Sequence, residues 1–146
     1  MAAYVAYAWE HETWPQFRQV WLTEKESVKY LRKFARHFKM PDAKVEFSKR
    51  KERSGEAWPN IYHAVTWKPE YRRLSKAALR NWSSGVICLT KDRSSLDVVI
   101  HEFAHLLTAF KYKRMVHHDK RFKRQLKRVY TFAKRYLPKQ EAKIAA

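Results

Sequence analysis

Thr23 and Glu26 form the S/T-x-x-E pair of a capping box. Behind it, Val28, Leu31, Phe34, Ala35 and Phe38 recur at three- and four-residue steps, which predicts a helix ending before Pro41. Lys29, Arg32, Lys33 and Arg36 fall on its other face. The pattern then shifts to alternation. Val45-Glu-Phe47 reads as a short strand, Arg53-Ser-Gly55 as a turn, Ile61 to Trp67 as a second strand and Gly85 to Thr90 as a third. Pro69 ends the second strand, and a short helix around Ser75–Arg80 is one reading of the basic stretch 70–82. Ser94 and Asp97 match a second capping box, placed to open a helix with Leu96, Val99, Ile100, Phe103, Leu106, Leu107 and Phe110 on a broad apolar surface. Asp119 is the expected N-cap of a last helix running to about Leu137. It turns Phe122, Leu126, Val129, Phe132, Ala133 and Tyr136 inward, its basic residues outward, and stops at Pro138.

The fold class expected is α+β, with a short three-stranded sheet and a basic C-terminal helix. Residues 1–22 carry Tyr4, Tyr7, Trp9, Trp14 and Trp21 without a period and read as an irregular aromatic arm. One domain is expected over 23–137, followed by a short tail at 138–146. The 146 residues suffice for one domain with a real core, and two glycines with 45% apolar residues argue against a low-complexity or disordered chain. No apolar run is long enough for a transmembrane helix, and the first ten residues make a poor signal peptide. A cytoplasmic monomer without a membrane partner is expected. The lone Cys88 excludes an internal disulfide and sits in an apolar run, as a buried thiol would.

Charge changes the picture. Lys and Arg number 32 against 14 Asp and Glu, a net +18, and eleven of the basic residues lie between Lys111 and Arg135 with Asp119 as the one acid there. Such a surplus repels itself unless it meets polyanions, so DNA or another nucleic acid is the expected partner class. Lys120, Arg124, Lys127 and Arg128 on the last helix are the candidate phosphate contacts. Tyr71, Arg72, Arg73, Arg80 and Trp82 form a second basic and aromatic cluster, for which packing is the better reading than base stacking.

Chemistry enters with His101-Glu-Phe-Ala-His105, an H-E-x-x-H motif on the predicted apolar helix. Histidines four residues apart share a helix face and can bind one metal ion together. Glu102 is turned about 100° from His101, beside the ion, where a general base would take a proton from water. Zinc hydrolases use this pattern. The alternative is a helix that merely carries two histidines and a solvated glutamate. A catalytic zinc normally has three protein ligands, and His118, next to the Asp119 cap, is the candidate third, preferred over His117. Lys111 stands where a metzincin would place its third histidine, six residues after the second. His63 reads as a core or edge histidine. Asp97, one turn before His101, is a cap residue first and a candidate ligand-orienting partner second.

H-E-x-x-H, a short gap, then His118-Asp-Lys-Arg-Phe122 resembles the SprT-like (Spartan-type) zinc metallopeptidases, where H-E-L-A-H precedes H-G-x-x-W. Phe103 stands for the leucine, Asp119 for the glycine and Phe122 for the tryptophan. The likeness covers about residues 60–132. It implies a minimal zincin domain, zinc on His101, His105 and His118, Glu102 as the catalytic base, and a link to DNA-bound protein substrates. With one cysteine, this chain has no zinc ribbon of the kind some members carry, so DNA contact would fall on its basic faces. Tyr112 and Tyr130 are open candidates for stabilising an oxyanion, and substrate is expected along a sheet edge near 61–67 or 86–90. The function expected is a zinc-dependent peptidase acting on nucleic-acid-associated proteins. The competing accounts are a basic nucleic-acid-binding protein with a structural or inactive zinc site, and a zinc hydrolase with another substrate.

Overall fold

A computed structural model of the protein describes residues 2–49, 51, 53–59, 84–112 and 118–136. The chain opens with α1 (Ala2–Thr13), a 3-10 turn at Pro15–Gln19 and β1 (Trp21–Thr23). Then come α2 (Glu24–His37), β2 (Lys44–Ser48), β3 (Glu56–Pro59), β4 (Gly85–Thr90), β5 (Arg93–Ser95), α3 (Leu96–Tyr112) and α4 (Lys120–Ala133), with a 3-10 turn at Lys134–Tyr136. This is an α+β domain. The irregular arm expected at 1–22 is replaced by a helix, a 3-10 turn and a strand.

The main sheet has the order β2-β4-β3, with β2 parallel and β3 antiparallel to β4. Val86, Ile87, Cys88 and Leu89 are all buried, as a central strand covered on both faces requires. The predicted strand at 85–90 is therefore real. Because it is paired on both sides, it has no free edge to receive a substrate, contrary to expectation. The predicted strand Val45–Phe47 lies within β2. Residues 61–67, the 75–80 segment, His63, His117 and the Tyr71–Trp82 cluster lie outside the described residues. Cys88 is buried, and its thiol faces Glu46 Oε2 at 3.7 Å.

A two-stranded antiparallel ribbon, β1 with β5, pairs Trp21 with Ser95 and Leu22 with Ser94. It corrects the capping box expected at Ser94. That serine is spent on the ribbon, its hydroxyl points to the Thr90 carbonyl at 3.4 Å, and the Leu96 N–H at the head of α3 donates to the Val20 carbonyl at 2.8 Å. The box at Thr23 does form: Thr23 Oγ1 accepts from Glu26 N at 3.1 Å and Glu26 Oε1 accepts from Thr23 N at 3.0 Å. Asp119 caps α4 by accepting from the N–H groups of Arg121 and Phe122.

The core lies between α3 and the layers around it. Leu96, Val99, Ile100, Phe103, Leu106 and Leu107 from α3 meet Leu31, Phe34 and Ala35 from α2 and Phe122, Leu126, Val129 and Phe132 from α4. Phe34 and Phe103 pack ring to ring at 5.3 Å. Burial of each such side chain is worth about 1.5–3 kcal/mol, so α3 is fixed along its length.

Candidate metal centre

His101 and His105 lie on consecutive turns of α3, and His118 stands one residue before the Asp119 cap of α4. Packing of α4 on α3 brings the three rings together. His101 Nε2 and His118 Nε2 are 3.0 Å apart, and one ring nitrogen from each of the three histidines falls within 4.8 Å of the others. In a tetrahedral site with zinc–nitrogen bonds near 2.1 Å, ligand nitrogens lie about 3.4 Å apart. The His101–His118 separation lies close to that value, all three pairs are within 4.8 Å, and three imidazoles are a donor set that zinc accepts. The residues fit a metal ion. His101 is buried, whereas His105 and His118 are half-buried, so the cluster opens toward solvent on their side.

Phe122 forms the floor. Its ring stacks on His105 at 4.3 Å and lies 5.1 Å from His101 and 4.8 Å from His118. The aromatic four residues after the third histidine thus limits the tilt of all three imidazoles.

The residue that sequence reasoning missed is Glu10. It sits on α1, is only 3% exposed, and its Oε2 lies 2.6 Å from His101 Nδ1. Its other oxygen accepts from the Tyr130 hydroxyl at 2.7 Å. A carboxylate on Nδ1 fixes the tautomer that leaves Nε2 directed at the cluster. Burial alone would lower the His101 pKa, but the hydrogen bond and charge of Glu10, with Glu102 and Asp97 behind it, raise it instead. Burial, then the Glu10 charge, pushes the Tyr130 phenol well above its ordinary value. Tyr130 is thereby committed to Glu10 and drops out as an oxyanion donor. Its ring stacks on Trp14 at 4.2 Å and meets Phe17 edge-on at 5.0 Å, which ties the N-terminal segment to α4.

Glu102 is buried beside the histidines. The loop before β3 presses on it: a Cβ added at Gly55 would stand 2.9 Å from Glu102 Cγ and 3.0 Å from Val98 Cγ1. Glycine here lets the backbone approach closely enough to confine the carboxylate. Asp97 is not a cap. It is buried and pairs loosely, at 3.8 Å, with both His11 and Arg18.

The fold and the histidine geometry agree with a match to the SprT-like family model over residues 24–143. The chain belongs to the SprT-like family. Neither a curated protein nor a solved structure matches it. The SprT-like match begins after α1, so the helix carrying Glu10 lies outside the matched segment.

The four basic residues expected to meet phosphate are all exposed on α4. Arg124, Lys127 and Arg128 gather with Arg135 around a cavity of about 350 Å³ floored by His37, Phe38 and Phe132, while Lys120 stands apart from it. Among the described residues, no carboxylate forms an ion pair with these four rim cations. His37 stacks flat on Phe132 at 3.8 Å and is itself exposed. Its pKa is lowered by desolvation and by the charges of Arg135 and Arg128. No helix among the described residues is long and apolar enough to cross a membrane.

Proposed function

We propose that this SprT-like protein is a zinc-dependent metallopeptidase that hydrolyses peptide bonds in proteins associated with nucleic acid. The observation that carries the reading is the convergence of three imidazole nitrogens beside the buried carboxylate of Glu102. His101, His105 and His118 would hold the ion as neutral imidazoles. Bound there, zinc supplies Lewis acidity, which polarises a carbonyl and acidifies water. Glu102 accepts the proton of the attacking water and returns it to the leaving amine. Gly55 keeps its carboxylate from swinging away, and Glu10 holds the His101 ring in one orientation.

Elemental analysis tests the centre. The wild type is expected to hold about one zinc per chain, as a three-ligand site does, and His118→Ala to lose it. Glu102→Gln is expected to keep the metal and lose at least about 10²-fold in turnover on unfolded protein. A fully active Glu102→Gln, or a protein that takes up no metal, refutes the peptidase and leaves a basic nucleic-acid-binding domain.

The nucleic-acid part is supported by the cationic rim of Arg124, Lys127, Arg128 and Arg135, none of which forms an ion pair with a carboxylate among the described residues. Affinity for a short DNA is expected to fall steeply with salt, and replacing Arg124 and Lys127 by Gln to lower the log–log slope by roughly 2. A slope that does not respond places contact elsewhere.

A further inference from the structure

The cavity of about 350 Å³ between the end of α2 and the C-terminal half of α4 is large enough for a small planar ligand. Its floor is aromatic. His37 stacks on Phe132 at 3.8 Å with 8° between the ring planes, and Phe38 meets His37 edge-on at 4.7 Å. Phe132 is buried beneath this stack, whereas His37 is exposed. An exposed ring with one face covered turns its other face to solvent, so the stack ends on a ring that can accept a third. The rim is cationic, and Arg124, Lys127, Arg128 and Arg135 are all exposed on it. Two of them are held in place. The Arg128 guanidinium lies 5.2 Å from the Phe38 ring centre and donates to Gln125 Oε1 at 2.7 Å, and the Arg135 guanidinium lies 5.6 Å from the Phe132 ring centre.

An aromatic floor inside a phosphate-seeking rim is the chemistry that receives a nucleotide: the base stacks on a ring and the cations take the phosphates on either side of it. The four rim side chains carry donors only, which suits phosphate oxygens and base carbonyls. An acidic peptide would also meet this charge, but its backbone N–H groups need acceptors, and among the lining side chains only His37 and Thr131 carry any. His37 is not a fifth cation. Desolvation and the charges of Arg135 and Arg128 lower its pKa, so at neutral pH the uncharged ring serves as a stacking surface. A base inside a duplex is already stacked on both faces and reaches the floor only by giving up its pairing and stacking. Phe132 lies on the same helix as Phe122, roughly 15 Å further along, so a nucleotide seated here leaves the metal centre open.

Resting on the nucleic-acid part of the proposed function, we propose that this cavity binds one unpaired nucleotide of a single strand, its base stacked on His37 and its phosphates on the α4 cations. The test titrates the full chain by fluorescence anisotropy, at one salt concentration, into a short labelled DNA strand, the same strand paired to its complement, and an abasic strand of equal length. The single strand is expected to bind about tenfold tighter than the other two, which carry the phosphates without an available base. His37→Ala is expected to lose about that factor on the single strand and to change little on the duplex or the abasic strand. His37→Phe keeps a ring on Phe132 and is expected to restore the preference, which separates stacking from a general loss of structure. Equal binding of all three DNAs, with His37→Ala neutral, overturns the nucleotide site while the nucleic-acid reading stands. Absence of binding to any of them at low salt sinks both. An acidic peptide of matching charge that displaces the single strand as well as unlabelled strand does overturns the site in favour of a protein partner.

Discussion

Replacing Glu10 by alanine probes the metal centre from behind. The substitution removes the acceptor of two buried groups, His101 Nδ1 at 2.6 Å and the Tyr130 hydroxyl at 2.7 Å. A buried polar group left without its partner costs about 1–3 kcal/mol, so the metal-free protein should lose roughly 2–4 kcal/mol in guanidinium unfolding. The second effect is on the ion. Removing the carboxylate behind a ligating histidine typically weakens metal binding 10- to 100-fold, or about 1.4–2.7 kcal/mol. Zinc affinity measured by competition with a chromophoric chelator reads this directly. Tyr130→Phe separates the two effects. It removes one hydrogen bond, costs about 1 kcal/mol of stability, and leaves the Glu10–His101 contact, so the zinc Kd should move much less than in Glu10→Ala. A folded Glu10→Ala protein with wild-type zinc affinity would refute the idea that Glu10 orients His101.

Gly55→Ala puts a methyl 2.9 Å from Glu102 Cγ. It should lower kcat with zinc content unchanged, and an unaltered kcat would mean that the loop does not confine the base. Asp119→Ala removes the acceptor of the Arg121 and Phe122 N–H groups and should cost about 1 kcal/mol in thermal or denaturant unfolding. The His37 ring proton, followed by NMR, should titrate below 6.5 in the free protein, where desolvation and then Arg135 and Arg128 disfavour the imidazolium. Binding of a short oligonucleotide at the α4 rim should raise that midpoint by neutralising the two arginines, and an unmoved midpoint would place the nucleic acid elsewhere.

What the sequence disclosed depended on how local the signal was. The H-E-x-x-H helix, the Thr23 and Asp119 caps and the buried strand at 85–90 are each written within a few residues, and all of them form. His118 was readable as the candidate third histidine because Phe122 follows it by four residues and Asp119 caps α4, and it joins His101 and His105 in one cluster. Glu10 could not be found this way. It meets His101 across 91 residues and Tyr130 across 120, and a lone acid in an aromatic stretch does not announce a tertiary partner. Its helix was missed for a related reason: residues 2–13 show no apolar stripe. The Ser94 box failed because the backbone supplied a competing partner. β1 claims Ser94 and Ser95 for the ribbon, and the Val20 carbonyl takes the N–H at the start of α3.

The Glu10–Tyr130 contact also bears on when the centre comes into being. The three imidazoles come from residues 101–118, but the ring nearest the core is oriented by a side chain on α1 that is itself held from α4. Contacts so distant in sequence form late, because the intervening chain must be ordered first. During synthesis, Glu10 emerges long before Tyr130 and waits without its hydroxyl donor. A nascent chain that already contains the whole H-E-x-x-H helix therefore still lacks a fully oriented His101. The three-histidine cluster reaches its final geometry with α4, which puts a delay between translation of the H-E-x-x-H motif and completion of the cluster.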